Sequence, residues 1–366
     1  MPGCFVKSLT ISHFRSHRVT RMSLDGRPVA LHGSNGAGKT NVLEAVSLLS
    51  PGRGLRRAAA EEFTRRPEAL GWKVSAVLQA GEKAHELETS AEPNQPRVVR
   101  IDGKVQPQVG LSRLARIVWL VPAMDRLWLE GADGRRRFLD RMAMSFAPDH
   151  AEAVLAYEKA MRERNRLLKD MVRDAHWYLV LERQMSASGA RIIANRASTL
   201  ERLLAAQRGA ETAFPAAHLS LTHANGELPE TSGGLAEVFA AGRSLDLKAG
   251  RTLVGPHRVD MNAVYADKTI PAGQCSTGEQ KALLISLVLS NARALSQDAG
   301  AAPLILLDEV AAHLDASRRI ALYDEISALG AQAWMTGTGA KLFEDLGERA
   351  QVFEVVEAPG GSEVKV

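Results

Sequence analysis

Cysteine is scarce in this chain of 366 residues, where only Cys4 and Cys275 occur. They lack the spacing of a metal site, and so few cysteines indicate a reducing compartment. Long apolar runs are missing too. The longest run, around 283–289, is too short to span a bilayer, and the N-terminus lacks the apolar core of a signal peptide. We therefore expect a cytoplasmic protein.

A strong excess of one charge is also absent. The chain has 46 Lys and Arg against 42 Asp and Glu, a net charge of +4 and a pI near 9.1. This modest balance permits DNA binding without demanding it, because phosphate contacts need many cations on one surface. Any single local cluster is more typical of a solvated face, although Arg56 and Arg57 are candidate DNA contacts. The clusters are Arg53, Arg56 and Arg57; Arg135, Arg136 and Arg137; and Arg162, Arg164, Arg166 and Lys169.

The first motif that is present lies near the N-terminus. Residues 33–40 fit the phosphate-loop pattern Gly-x4-Gly-Lys-Thr without a mismatch, between an expected strand at 28–32 and an expected helix at 41–49. Lys39 is predicted to contact the β- and γ-phosphates of ATP, and the Thr40 hydroxyl to ligate Mg²⁺. The predicted nucleotide-binding residues are Gly33, Ser34, Asn35, Gly36, Ala37, Gly38, Lys39 and Thr40.

The second motif is an acidic pair after an apolar run. Residues 304–307 are all aliphatic and are followed by Asp308 and Glu309. Such a run predicts a strand that is buried on both faces of a parallel sheet. Ligands of open α/β sheets bind at the carboxyl ends of the strands. Asp308 is therefore predicted to hold Mg²⁺, and Glu309 to orient or deprotonate the attacking water.

The third motif, Ser276-Thr277-Gly278-Glu279, precedes a long apolar helix. It fits a capping box, in which Ser276 and Glu279 satisfy each other's backbone N–H groups. An ordinary helix cap explains those two residues. It does not explain why this helix comes directly before the Asp308 strand. We interpret Ser276 and Gly278 as the signature segment of an ABC-type ATPase, whose helix N-terminus receives the γ-phosphate of ATP bound to another chain.

Together these motifs predict an α/β fold, namely an ABC-type P-loop ATPase head with a mixed sheet and an inserted, mainly helical hairpin domain. Alternating strands at 72–78, 85–89 and 98–101, with an Asp102–Gly103 hairpin turn, predict the antiparallel part of the head. We expect the head to comprise residues 1–121 and 216–366. The helical insertion is expected at 122–215.

Several segments make the resemblance closer. The chain resembles the RecF family of bacterial recombination-repair ATPases over nearly its whole length, with Thr-Gly-Glu in the signature as the most discriminating feature. The segments that carry the resemblance are 9–17, 35–45, 135–140, 252–258 and 276–281.

The RecF resemblance implies a weak ATPase that uses ATP and Mg²⁺ and dimerises on ATP. It further implies binding to duplex DNA and single-strand/duplex junctions, and work at gaps with RecO and RecR to help load RecA and support SOS induction. Asp315 matches the D-loop aspartate of the family. No glutamine stands clearly at a Q-loop position, and Thr336 or Thr338 takes the place of the switch histidine, so we expect slow hydrolysis.

Two other classes remain as alternatives. An ATPase subunit of an ABC transporter should have a glutamine-bearing coupling loop and a switch histidine, and neither is evident here. A P-loop small-molecule kinase would need no signature helix and should act as a monomer. ATP-driven dimerisation discriminates between these classes.

Overall fold

The computed structural model describes residues 3–66, 68–224 and 226–365, except for the side chains of Ala299 and His313. The chain divides into two compact units. Unit 1 contains the residues up to 125, residues 206–216 and those from 276 onward, whereas unit 2 contains 126–205 and 217–275.

The two units differ from the domain boundaries expected from sequence. Residues 122–125 and 206–215, expected in the helical insertion, lie in unit 1, and residues 217–275, expected in the ATPase head, lie in unit 2. The latter belong to unit 2 for a physical reason. Strand β9 (Ala217–Thr222) forms a ladder with β10 (Asp260–Tyr265). Helix α5 (Ser232–Ala249) contributes Leu235 and Phe239 to the apolar core of that unit.

The described residues of unit 1 form two sheets. The first is antiparallel, in the order β2-β1-β4-β5-β6-β7, and the predicted Asp102–Gly103 turn joins its last two strands with positive φ angles of 50° and 76°. Its strands are β1 (Cys4–Phe14), β2 (His17–Ser23), β4 (Trp72–Ala80), β5 (Lys83–Ala91), β6 (Val98–Ile101) and β7 (Lys104–Gln106). The inward-facing residues of these strands alternate with exposed ones, as a sheet with one covered face requires.

The second sheet of unit 1 is mixed, in the order β15-β14-β3-β13-β12-β8, with β15 antiparallel to β14 and the other neighbours parallel. Its strands are β3 (Val29–His32), β8 (Ile117–Leu120), β12 (Leu304–Leu307), β13 (Ala333–Gly337), β14 (Gln351–Ala358) and β15 (Gly361–Lys365). The helices of this unit are α1 (Lys39–Ser47), α6 (Thr277–Ala299) and α7 (Ala316–Leu329).

One apolar core holds the two sheets and α1 together. Leu9, Leu31, Val42, Leu306 and Trp334 are all completely buried in it. Burial of large aliphatic and aromatic side chains stabilises each by about 1.5–3 kcal/mol. The carboxyl ends of β3, β13 and β12, which are parallel neighbours in the sheet, lie side by side on this core.

Unit 2 is mainly helical. It comprises α2 (Ala132–Phe146), α3 (His150–Lys169), most of α4 (Ala175–Gln207), α5 and a small sheet in the order β11-β10-β9, where β11 is Ile270–Pro271. The predicted hairpin is α3–α4, and its core includes Tyr157 and Met185. No helix within the described ranges is both long and apolar enough to cross a bilayer.

Candidate nucleotide-binding site

The phosphate loop follows β3 and runs into α1 as predicted, and its backbone requires glycine. Gly33 and Gly38 have φ angles of 152° and 106°. A Cβ at Gly33 would lie 2.1 Å from the Val355 carbonyl oxygen, and one at Gly38 would lie 2.4 Å from Ser362 Oγ. Because both close contacts come from the C-terminal strands β14 and β15, the last segments of the chain support the loop.

Lys39 lies inside this loop and is buried. Its Nζ donates to the carbonyl oxygens of Gly33 at 2.7 Å and Ser34 at 2.8 Å. Burial lowers the pKa of Lys39, while the nearby charges of Glu309 and Asp308 oppose that shift. Residues 34–36 are exposed. A buried ammonium group below an exposed loop is suited to bind an anion.

The acidic pair emerges where β12 ends, beside the phosphate loop. The Thr40 hydroxyl donates to Asp308 Oδ1 at 2.9 Å, and the Thr336 hydroxyl donates to the same oxygen at 2.8 Å. Glu309 has a φ of 54° and its N–H donates to Thr336 Oγ1 at 2.8 Å. The structure thus brings Thr40 together with Asp308 and Glu309. Thr40 and Asp308 are 268 positions apart in the sequence.

The donor atoms at this position fit Mg²⁺. Thr40 and Asp308 offer a hydroxyl and a carboxylate oxygen, which are the hard ligands that this ion prefers. Within the described ranges, no group of three or more His, Cys, Asp or Glu side chains is placed to hold a metal. A Mg²⁺ ion held by one or two protein oxygens and completed by phosphate oxygens and water suits such a site.

A buried ion-pair cluster supports α1 from the N-terminal hairpin, and the motifs did not indicate it. Glu44 is completely buried, and its carboxylate accepts two hydrogen bonds from Arg15, at 2.9 and 3.0 Å. Arg56 also donates to Glu44, at 3.3 Å, and to Asn41 Oδ1 at 2.9 Å. The sequence signal was present in the 9–17 and 35–45 segments, but nothing local showed that they meet.

His17 is a second residue that the motifs did not indicate. It is completely buried, with Nε2 3.1 Å from the Gly38 carbonyl oxygen and Nδ1 2.8 Å from Thr20 Oγ1. Burial lowers the pKa of His17. A neutral ring that donates to Gly38 and accepts from Thr20 satisfies both contacts, and it holds the end of the phosphate loop against the hairpin.

The predicted capping box is present at the start of α6. The Ser276 N–H and hydroxyl both donate to Glu279 Oε2 at 2.8 Å, and the Glu279 N–H donates to Ser276 Oγ at 3.4 Å. Residues 276–278 are exposed. Apart from its chain neighbours and the adjacent backbone of α6, no described atom lies within 4 Å of where a Cβ at Gly278 would be, so the space beside this residue is open.

Asp315, the predicted D-loop residue, caps another helix. Its Oδ1 accepts from the Ser317 hydroxyl at 2.6 Å and from the Arg318 N–H at 2.9 Å, at the start of α7. The hydrogen bond from Ser317 lowers the pKa of Asp315, and the bond from Arg318 N–H adds to this effect. The carboxylate is therefore negative at neutral pH and remains exposed to solvent.

The segment after β8 reaches the same sheet edge and contacts the signature helix. The Asp308 N–H donates to the Leu120 carbonyl oxygen at 3.0 Å. A few residues later, Asp125 Oδ2 accepts from Lys281 Nζ at 3.3 Å, and Lys281 is buried one turn into α6. This segment links the strand beside the acidic pair to the helix that begins at Ser276.

The predicted cation clusters differ in their availability. Arg164 is completely buried and pairs with Glu182 at 3.0 Å and Asp246 at 2.6 Å, so it belongs to the interior of unit 2 and is no DNA contact. Arg56 is engaged beside the phosphate loop, as described above. Arg53 and Arg57 are exposed. Arg53 and Arg57 therefore lie where solvent reaches them, whereas Arg164 does not.

The phosphate loop, the acidic pair and the capped signature helix on these two sheets define an ABC-type P-loop ATPase head. The family model for the RecF/RecN/SMC N terminal domain matches residues 5–358. The DNA replication and repair protein RecF of Rhizobium rhizogenes is 44% identical in an alignment of 369 positions that covers 98% of each chain. That of Caulobacter vibrioides is 45% identical in an alignment of 379 positions that again covers 98% of each chain. The chain belongs to the RecF family of DNA replication and repair proteins.

Solved structures agree on the fold. The structure of the recombination mediator protein RecF-ATP in the RecFOR pathway has a TM-score of 0.84 at 23% identity, covering 100% of this chain and 98% of that one. The Smc head domain of Pyrococcus furiosus, bound to the C-terminal domain of ScpA, has a TM-score of 0.57 at 17% identity, covering 99% and 96%. These likenesses confirm the predicted fold class of an ABC-type head.

Proposed function

We propose that this chain is a cytoplasmic, ATP-dependent DNA-binding protein of recombinational repair and replication restart, and that two copies close around ATP. One observation carries the proposal. Each chain has one phosphate loop beside its acidic pair and one signature helix whose start, Ser276 to Gly278, is exposed and open. An exposed helix N-terminus can receive the γ-phosphate of ATP that a second copy holds.

The phosphate-loop residues bind and orient the nucleotide. Lys39 would exchange the carbonyl oxygens of Gly33 and Ser34, 2.7 and 2.8 Å away, for β- and γ-phosphate oxygens. Thr40 and Asp308 would hold Mg²⁺, which neutralises charge on the phosphates. In this structure the Ser276 hydroxyl donates to the Glu279 carboxylate at 2.8 Å. In the partner copy, this hydroxyl would donate to the γ-phosphate instead.

Glu309 is the residue we assign to water activation. It follows Asp308 at the end of β12, and its negative charge acts to raise the pKa of Lys39 inside the phosphate loop. A threonine stands where a switch histidine would help to hold the water and the γ-phosphate. We therefore propose that hydrolysis is slow and acts as a switch that releases the dimer and its DNA.

DNA binding is assigned to the ATP-bound dimer. One chain has a net charge of only +4, so pairing two heads doubles the cations available along a duplex. The sequence has no base-reading motif, which favours contacts with the phosphate backbone of duplexes and single-strand/duplex junctions. We further propose, from family membership, that the chain acts with RecO and RecR at single-strand gaps, helps to load RecA and supports SOS induction.

The experiment is a salt titration of duplex binding by the purified chain with and without ATP and Mg²⁺. The proposal predicts tighter binding and a steeper slope of log affinity against log salt when ATP is present, since more phosphates are neutralised. Duplexes of different sequence should bind alike. Equal affinity and equal slope with and without ATP would contradict the proposal that ATP controls the DNA site.

A further inference from the structure

The end of β13 carries a buried hydroxyl that contacts both acidic residues. β13 lies between β3 and β12, the strands that lead into the phosphate loop and the acidic pair. Thr336, on this strand, is completely buried. Its hydroxyl donates to Asp308 Oδ1 at 2.8 Å and accepts the Glu309 N–H at 2.8 Å.

These two contacts fix different parts of the acidic pair. Asp308 Oδ1 also accepts the Thr40 hydroxyl, at 2.9 Å, so two hydroxyl donors set the rotation of the carboxylate. Glu309 has a φ of 54°, a left-handed conformation that is costly for a residue other than glycine. The Thr336 hydroxyl accepts the Glu309 N–H and so stabilises this backbone conformation of Glu309, which sets the direction of its side chain.

Thr338, the other threonine at this strand end, differs in its surroundings. It lies two residues further along the chain and is exposed, whereas Thr336 is enclosed below the acidic pair. A completely buried hydroxyl that already donates to Asp308 has no second proton to offer a phosphate group. Its effect must therefore pass through the residues it holds.

We propose that Thr336 is a positioning residue for Mg²⁺-dependent ATP hydrolysis, orienting Asp308 towards the ion and Glu309 towards the water. This inference rests on the proposed ATPase function. In this proposal Thr336 acts only through Asp308 and Glu309, which its hydroxyl contacts, and not by contact with the nucleotide or the ion.

The test compares Thr336→Val, which keeps the shape and removes the hydroxyl, with Thr336→Ser, which keeps the hydroxyl. Binding of a fluorescent ATP analogue is measured against Mg²⁺ concentration and again in EDTA, and kcat and KM are measured for ATP. Thr338→Val is the matched control, because it makes the same change at the exposed threonine.

For Thr336→Val we expect the half-saturating Mg²⁺ concentration to rise about 10-fold, as the loss of a hydrogen bond to a charged group implies. The kcat should fall by about 10-fold or more with KM nearly unchanged, since Glu309 is no longer held. Analogue affinity in EDTA should match that of the wild type. Thr336→Ser and Thr338→Val should both keep the wild-type dependence on Mg²⁺.

Other outcomes would overturn the proposal. If Thr336→Val lowers the melting temperature and leaves the Mg²⁺ dependence and kcat unchanged, Thr336 is only structural. If Thr338→Val shifts the Mg²⁺ dependence and kcat instead, the positioning residue is Thr338 and not Thr336. Should the valine variant not fold, Thr336→Cys, of similar size and with a weak donor, must show the same shifts to a smaller extent. A wild-type chain that binds no ATP would refute the proposed function itself, which separates that failure from failure at Thr336.

Discussion

At the scale of single residues, a substitution at Gly278 separates the stability of the isolated chain from its ATP-driven dimerisation. It lies near the start of α6, and its surroundings are open within 4 Å. Alanine is favoured over glycine in a helix by about 1 kcal/mol. Gly278→Ala should therefore leave the isolated chain as stable as the wild type or slightly more so.

The same substitution should weaken ATP-driven dimers, because the added methyl group lies where the partner's γ-phosphate would approach. Thermal unfolding and light scattering with ATP measure the two effects separately. Gly131→Ala is a suitable control, since Gly131 also has open surroundings but lies in unit 2. Dimers of Gly278→Ala as strong as those of the wild type would argue against close contact at this residue.

A substitution at Glu309 separates the binding of ATP from the release of the ATP dimer. Glu309→Gln keeps the size of the side chain and removes the charge that we assign to water activation, while Thr40 and Asp308 remain. We expect ATP and Mg²⁺ to bind normally and the ATP dimers to persist at least about 10 times longer, as the loss of a general base commonly lowers rates 10²–10⁴-fold. Single-turnover hydrolysis and dimer lifetime check this. Hydrolysis at the wild-type rate would mean that another carboxylate is the base.

At the scale of elements, His257 in unit 2 makes stability depend on pH. Its Nδ1 lies 2.8 Å from the Tyr157 hydroxyl and its Nε2 lies 3.2 Å from the Thr252 carbonyl oxygen. Burial lowers the pKa of His257 from 6.5 to about 4. The unfolded chain therefore takes up the proton first, so the stability is fully present above pH 6.5 and is lost as the pH falls towards 4.

We expect the free energy of unfolding to fall by up to about 2 kcal/mol at pH 5 through this group. Urea unfolding at pH 7.5 and pH 5 measures it. His257→Gln, which can also accept from Tyr157 and donate to Thr252, should reduce the difference between the two pH values. If the variant loses as much stability as the wild type between them, other groups cause the dependence.

Elements defined by local rules could be predicted from the sequence. The Asp102–Gly103 turn needs positive φ, the capping box needs Ser276 and Glu279 three positions apart, and an aliphatic run predicts β12. Contacts between distant segments could not be predicted. Nothing local in 217–275 shows that β10 pairs with β9, and nothing near Thr336 shows that its hydroxyl meets the acidic pair. The spacing of apolar residues indicates which face of a segment is buried. Which other segment it packs against depends on the whole fold.

At the scale of the whole molecule, the central claim is that a complete ATP site needs two chains. The most direct measurement mixes two defective variants, Lys39→Ala and Ser276→Arg. The first removes the phosphate-binding ammonium group and leaves the signature intact. The second places a large cation at an exposed helix start and leaves the phosphate loop intact. Neither variant alone should form ATP-driven dimers.

A mixed dimer contains one site in which both halves are defective and one in which the intact phosphate loop faces the intact signature. We therefore predict that mixing the two variants with ATP and Mg²⁺ restores dimers, seen by light scattering, and part of the ATPase activity. Folding of each variant is verified beforehand by its melting temperature. If the mixture shows no more dimer and no more hydrolysis than the separate variants, the site does not form between two chains.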